Sequence, residues 1–194
     1  MKKLSLIVLG ILIAAQFAVP FSMIRSRENI LRNGELFRFK TRPIDPVDPF
    51  QGRYVRLRME NEHVPCSIND KRELHRNTPL FAFIGTDEEG FARYTSYSMQ
   101  RPKNGDYLKS KYVRGWRNRW NETTQASDIH EIQIYIPFNR YYMDEAKAPR
   151  AERLARESTR STNCWVAVRI LDGKAVIEDV FAEGQPLRDL AAGD

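Results

Sequence analysis

Ser110 stands between Lys109 and Lys111, the residue types of a Ser–Lys hydrolase, in which an amine takes the proton of an attacking hydroxyl. On a strand, successive side chains point to opposite faces, so these neighbours cannot form that pair with each other. Glu145 and Glu152 could act as two catalytic carboxylates. Seven residues apart on a helix they share a side at about 10 Å, and a solvated helix face explains them more simply. His63-x-x-Cys66 offers half of a metal set, but neither His75 nor His130 has the spacing to complete it. Cys66 and Cys164 would be permitted a disulfide in an oxidising compartment. The alternative is that Cys164, at the head of "CWVAVRIL", is a small core residue. No Gly-rich phosphate loop is present, so neither a cofactor nor a metal is expected, no small-molecule substrate is indicated, and catalysis is the least supported function class.

The more unusual feature is a charge concentration. Residues 101–120 carry Arg101, Lys103, Lys109, Lys111, Arg114, Arg117 and Arg119 against Asp106 alone, which is the whole +6 net charge of the chain. Tyr107, Tyr112, Trp116 and Trp120 are interleaved with these cations. Such mixtures bind nucleic acid through phosphates and stacking. They also suit an anionic membrane interface, where Trp and Tyr lie at headgroup level. Lipid headgroups, an anionic glycan or an acidic partner face are the candidate ligands; a solvated strand and loop is the plainer reading.

The elements that position these residues begin with the N-terminus. Lys2 and Lys3 precede an uncharged run from Leu4 to Ile24, 21 residues, about 31 Å as a helix and enough to cross a hydrocarbon core. The run is longer than a typical signal peptide's apolar region, and "AAQFAVP" is a poor cleavage site. The helical pattern continues through Ile30 and Leu31 to a stop at Asn33-Gly34. An uncleaved anchor over residues 1–33 is therefore expected. Lys2 and Lys3 place its N-terminus in the cytoplasm and the domain outside, in the periplasm of a cell that has one, although Arg25 and Arg27 flank the other end. That address disfavours nucleic acid as a partner.

After Gly34 the period changes to two. "ELFRFKT" alternates with Phe37 and Phe39 inward. "RPIDPVDP" has too many prolines for a helix or central strand. "GRYVRLRME" reads as one strand with Val55, Leu57 and Met59 on a face, and residues 60–78 as a polar connection with a short helical piece. Strands are expected at 79–85, 91–99 and 105–113, a loop at 115–128, and a strand at 129–137 with Ile132, Ile134 and Ile136 inward. "PRAERLARESTR" reads as a helix, and Asp172-Gly173 as a two-residue hairpin turn. Seven to nine strands, one membrane helix and one short helix describe a mainly β (α+β), antiparallel domain over 34–184, tethered by its N-terminal helix and ending in a tail, 185–194.

The apolar helix, the "P-x-DP-x-DP" approach and "FQGRYVRLRME" together resemble the GDYXXLXY family of predicted membrane-anchored bacterial proteins. "IPFNRYYMDEAKAPRAERLARE" is similar to that family's second signature, placing Tyr141, Tyr142, Met143, Glu145, Lys147, Pro149 and Glu152 in it. "VAVRILDGKAVIEDVFAEGQPL" fits its closing hairpin. In the naming motif Gly52, Tyr54 and Leu57 match, while Arg53 replaces Asp and Met59 replaces the last Tyr, so no role of that carboxylate carries over. "GDYLKSKY", at 105–112, spells the motif better but lacks the proline-rich approach. The resemblance implies a single-pass protein with one extracytoplasmic domain, found beside polytopic membrane proteins.

Three functions follow as expectations. The first is a non-enzymatic membrane-anchored protein whose outer domain binds or stabilises a membrane protein partner. The second is a module binding anionic lipid or glycan through the basic-aromatic window; the third is a membrane-tethered hydrolase. Phe138, Tyr141, Tyr142 and Met143 read as core packing or as a partner-docking patch.

Overall fold

A computed structural model describes residues 2–42, 54–66, 74–121, 126–142 and 164–190; for 2–8, 42, 54–56, 116–121 and 126–129 it describes the backbone only. The chain opens with helix α1 (Lys2–Asn33). Its segment Leu9–Asn33 is long and apolar enough to cross a membrane, by length and composition. Phe17, Phe21, Ile11 and Ile24 are each well over half exposed. The helix changes character at its last turn, where Ile30 is buried against strands of the domain.

Among the described residues three antiparallel sheets follow. The first has the order β12-β11-β10-β1-β3, with β1 Glu35–Arg42, β3 Arg58–Met59, β10 Cys164–Leu171, β11 Lys174–Ala182 and β12 Gln185–Pro186. The second has the order β4-β8-β7-β5-β6, with β4 His63–Cys66, β5 Pro79–Thr86, β6 Ala92–Ser98, β7 Tyr107–Asn121 and β8 Ala126–Ile134. It is curled, since its edge strands β4 and β6 approach each other. The third is the pair β2 (Tyr54–Arg56) and β9 (Arg140–Tyr142). A single turn of helix, α2 (Leu187–Leu190), closes the described chain. The expected β-rich, antiparallel domain behind one apolar helix is therefore the architecture observed.

The core lies between the two large sheets, where Phe39, Leu80, Leu108, Ile132, Val166 and Val180 have 2% exposure or less. Phe39 is the centre, its ring 5.1 Å from Phe138 and 6.0 Å from Tyr94. Burying a side chain of that size contributes about 2–3 kcal/mol. The inward alternation read for Phe37 and Phe39, and for Ile132, Ile134 and Ile136, is the one found. At the β10–β11 hairpin both Asp172 (φ 53°) and Gly173 (φ 78°) are left-handed, as a two-residue turn of the mirror type requires.

Four expectations need correction. Residues 54–59 are two strands, not one: the chain breaks at Leu57, so that β2 pairs with β9 and β3 with β1. The polar connection contains β4, because Val64, wholly buried, pairs into the second sheet opposite Ile132. The loop expected at 115–128 is largely strand. β7 continues to Asn121 against β8, absorbing Gly115 (φ 89°) through register shifts of the kind that let a strand bend without ending. The expected tail joins the fold, with Leu187 fully buried. The helix expected at 149–160 lies outside the described residues.

Candidate functional site

The end of α1 is built into the domain without a linker. The Gly34 amide donates to the Ile30 carbonyl at 2.8 Å. A Cβ on Gly34 would meet that carbonyl oxygen at 2.5 Å and the Ile170 backbone at 3.1 Å, so glycine is required here for space. Arg169 Nη1 donates to the Gly34 carbonyl at 3.1 Å, and its Nε donates to Glu178 Oε2 at 2.7 Å. The helix terminus is thus held by β10 and β11 together.

Beside this joint is a cleft of about 610 Å³ lined by Asn33, Glu35, residues 101–107 and residues 170–172. It collects the first part of the basic window. Arg101 Nε donates to Tyr107 Oη at 3.2 Å, and Arg101 Nη2 lies 3.7 Å from Asp172 Oδ1. The hydrogen bond to Tyr107, then the charge of Asp172, hold the guanidinium above its ordinary pKa. Among the described residues no carboxylate lies within ion-pair distance of Lys103, and no cation within that distance of Glu35 or Asp106. The cleft therefore offers charges of both signs.

The rest of the window is dispersed. Tyr107 is buried, edge-on to Phe81 at 5.6 Å and against Gly173, where a Cβ would strike its ring at 2.7 Å. It is a wall of the cleft floor and not a surface ring, contrary to the reading of an exposed basic-aromatic stripe. Ser110 is buried, its hydroxyl donating to the Tyr135 carbonyl, which removes it from any encounter with Lys109 or Lys111. Lys109 is exposed; Lys111 lies over the Tyr135 ring at 4.9 Å; Tyr112 packs against the core; Arg114 is exposed. Trp116, Arg117, Arg119 and Trp120 stand on the outer half of β7 paired with β8.

A second convergence joins segments that are far apart in sequence. Tyr54 pairs with Tyr142 and Val55 with Tyr141, so the motif strand and the second aromatic segment are neighbours. Leu57 and Met59 are 2% exposed and serve the core, while Gly52, Arg53, Met143, Glu145, Lys147, Pro149 and Glu152 lie outside the described residues. Tyr141 Oη donates to Asp179 Oδ1 at 2.9 Å, and the Val180 amide donates to the same oxygen at 2.9 Å. Asp179 Oδ2 lies 3.0 Å from Arg188 Nε, at ion-pair distance but out of hydrogen-bond alignment. Burial, then the bond to Asp179, push the Tyr141 phenol well above the ordinary tyrosine range. Tyr142, beside it, is 66% exposed. Cys66 and Cys164, allowed above as a disulfide, are both thiols. Cys164 is a 3% exposed core residue whose carbonyl accepts from Thr41 Oγ1 at 3.0 Å.

A family model described as GDYXXLXY protein matches residues 16–180. The chain belongs to the GDYXXLXY family. The match begins inside α1 and stops one residue after Asp179, so the GDYXXLXY region holds the helix joint and the Tyr141–Asp179 bond, while Arg188 lies beyond it. No curated protein and no solved structure matches the chain. Sequence reasoning did not find Asp179, Glu35 or Asp172 as site groups. For Asp179 the one available signal was a carboxylate pair inside the apolar run "AVIEDVF".

Proposed function

We propose that this GDYXXLXY protein is a single-pass membrane subunit, its N-terminus cytoplasmic and its β domain on the outer side, that binds or stabilises a polytopic membrane protein. The observation that carries the reading is the joint: α1 runs unbroken from an exposed apolar segment into a last turn whose Ile30 is core and whose exit needs Gly34. An enzyme acting on a diffusing substrate works as well on a loose tether. A domain that must meet a neighbour in the same bilayer gains from a fixed height and orientation, because the ordering entropy is spent before binding. Burial of Ser110 against the Tyr135 carbonyl argues against the hydrolase reading.

The test is purification of the full chain in mild detergent, with and without a flexible Gly-Ser insertion after Asn33. A polytopic protein is expected in stoichiometric amount with the natural chain and in strongly reduced amount with the insertion. Recovery of the natural chain alone would sink the reading.

A further inference from the structure

We propose that the cleft beside the helix joint binds the headgroup of a zwitterionic phospholipid bearing a primary ammonium. This rests on the membrane placement of α1 proposed above and adds a ligand to it. Placement comes first. From Ile24, the last residue of the uncharged run, to Asn33 in the cleft wall is nine residues, about 13 Å of helix. The headgroup layer occupies about 5–8 Å beyond the hydrocarbon core. The cleft therefore stands just above that layer, within reach of extended Lys and Arg side chains.

Charge selects the headgroup. Arg101 is pre-oriented by Tyr107 and Asp172, and with Lys103 it supplies donors for a phosphodiester. Glu35 and Asp106 line the same space. A purely anionic headgroup would meet these two carboxylates and Asp172 with no positive charge to offer them. A primary ammonium donates hydrogen bonds to carboxylates, which a trimethylammonium cannot do. The paired charges of phosphatidylethanolamine match the cleft at both ends, whereas phosphatidylglycerol lacks the cation and phosphatidylcholine lacks the donors.

The experiment embeds the full chain in nanodiscs holding phosphatidylethanolamine, phosphatidylcholine and phosphatidylglycerol in equal amounts, then counts retained lipids by native mass spectrometry. The natural chain is expected to retain phosphatidylethanolamine roughly tenfold over the other two. Glu35→Gln with Asp106→Asn should erase its advantage over phosphatidylcholine. Arg101→Gln with Lys103→Gln should lower retention of all three. Equal retention of the three lipids by the natural chain, unchanged preference in Glu35→Gln with Asp106→Asn, or unchanged retention in Arg101→Gln with Lys103→Gln overturns the proposal, provided circular dichroism shows each chain folded with a melt like the natural one. Excess soluble glycerophosphoethanolamine is expected to leave the lipid bound; displacement by it would overturn a lipid in favour of a soluble phosphodiester. Resistance of the chain to alkaline carbonate extraction from membranes tests the anchor separately, so failure of the anchor and failure of the cleft are told apart.

Discussion

At the scale of single residues, two side chains make opposite demands on the core. Gly34 has no room for a side chain, and the obstructing atoms are backbone, which cannot swing aside. Gly34→Val is expected to cost about 2–4 kcal/mol, read as a lowered melting temperature of the full chain in detergent. Tyr94 has its hydroxyl buried with no hydrogen-bond partner among the described residues, and burial holds the phenol far above its ordinary 10.0. Removing an unpaired buried hydroxyl restores a desolvation loss, so Tyr94→Phe should be neutral or stabilising. The sign with pH follows from linkage. A raised folded-state pKa means the unfolded chain loses its proton first, so stability is intact below pH 10.0 and falls as pH rises above it. Urea midpoints measured from pH 8 to 11 should fall less steeply in Tyr94→Phe than in the natural chain; parallel slopes would contradict this account.

At the scale of elements, the short pair β2–β9 is too small to hold by itself. One attachment is the Tyr141–Asp179 bond to β11, reinforced by Arg188 from α2. A bulge lies beside the carboxylate: Asp179 pairs with Ala167 and Ile177 with Val168, leaving Glu178 as the extra residue. A double-mutant cycle of Tyr141→Phe and Asp179→Asn should give a coupling energy of about 1–3 kcal/mol in chemical denaturation. Strict additivity would mean that the bond seen here does not hold β9.

At the scale of the molecule, the last turn of α1 and the helix α2 are both built into the domain. Deleting residues 185–194 would open the socket of the fully buried Leu187 and strand the Asp179 carboxylate without Arg188. That loss should cost about 3 kcal/mol or more, visible as a large drop in melting temperature. A dispensable tail would show no change. The N-terminal joint is the corresponding feature at the membrane end, and there the insertion after Asn33 separates fixed mounting from mere tethering.

Local patterns were legible where one residue decides one conformation. The uncharged run from Leu4 to Ile24 reads as a helix, Phe37 and Phe39 as an inward pair, and Asp172-Gly173 as a mirror turn, because length, period and left-handed φ are properties of adjacent residues. Family membership was legible for the same reason, in segments read one by one. Three things were decided only in three dimensions. Gly34 looked like an ordinary helix stop, but beside the local Ile30 carbonyl it is also hemmed in by the backbone of Ile170, far along the chain. The basic window looked like one surface; in the fold Ser110 turns inward, Tyr107 is buried under the cleft, Lys109 and Arg114 are exposed, and Arg101 and Lys103 line a cleft shared with α1. The motif strand and the second aromatic segment looked like separate signatures, yet they are hydrogen-bonded neighbours. Sequence alone determines which way a residue faces within its own element, but which elements then meet depends on strand pairing and bulges, and those are set by the packing of the whole core.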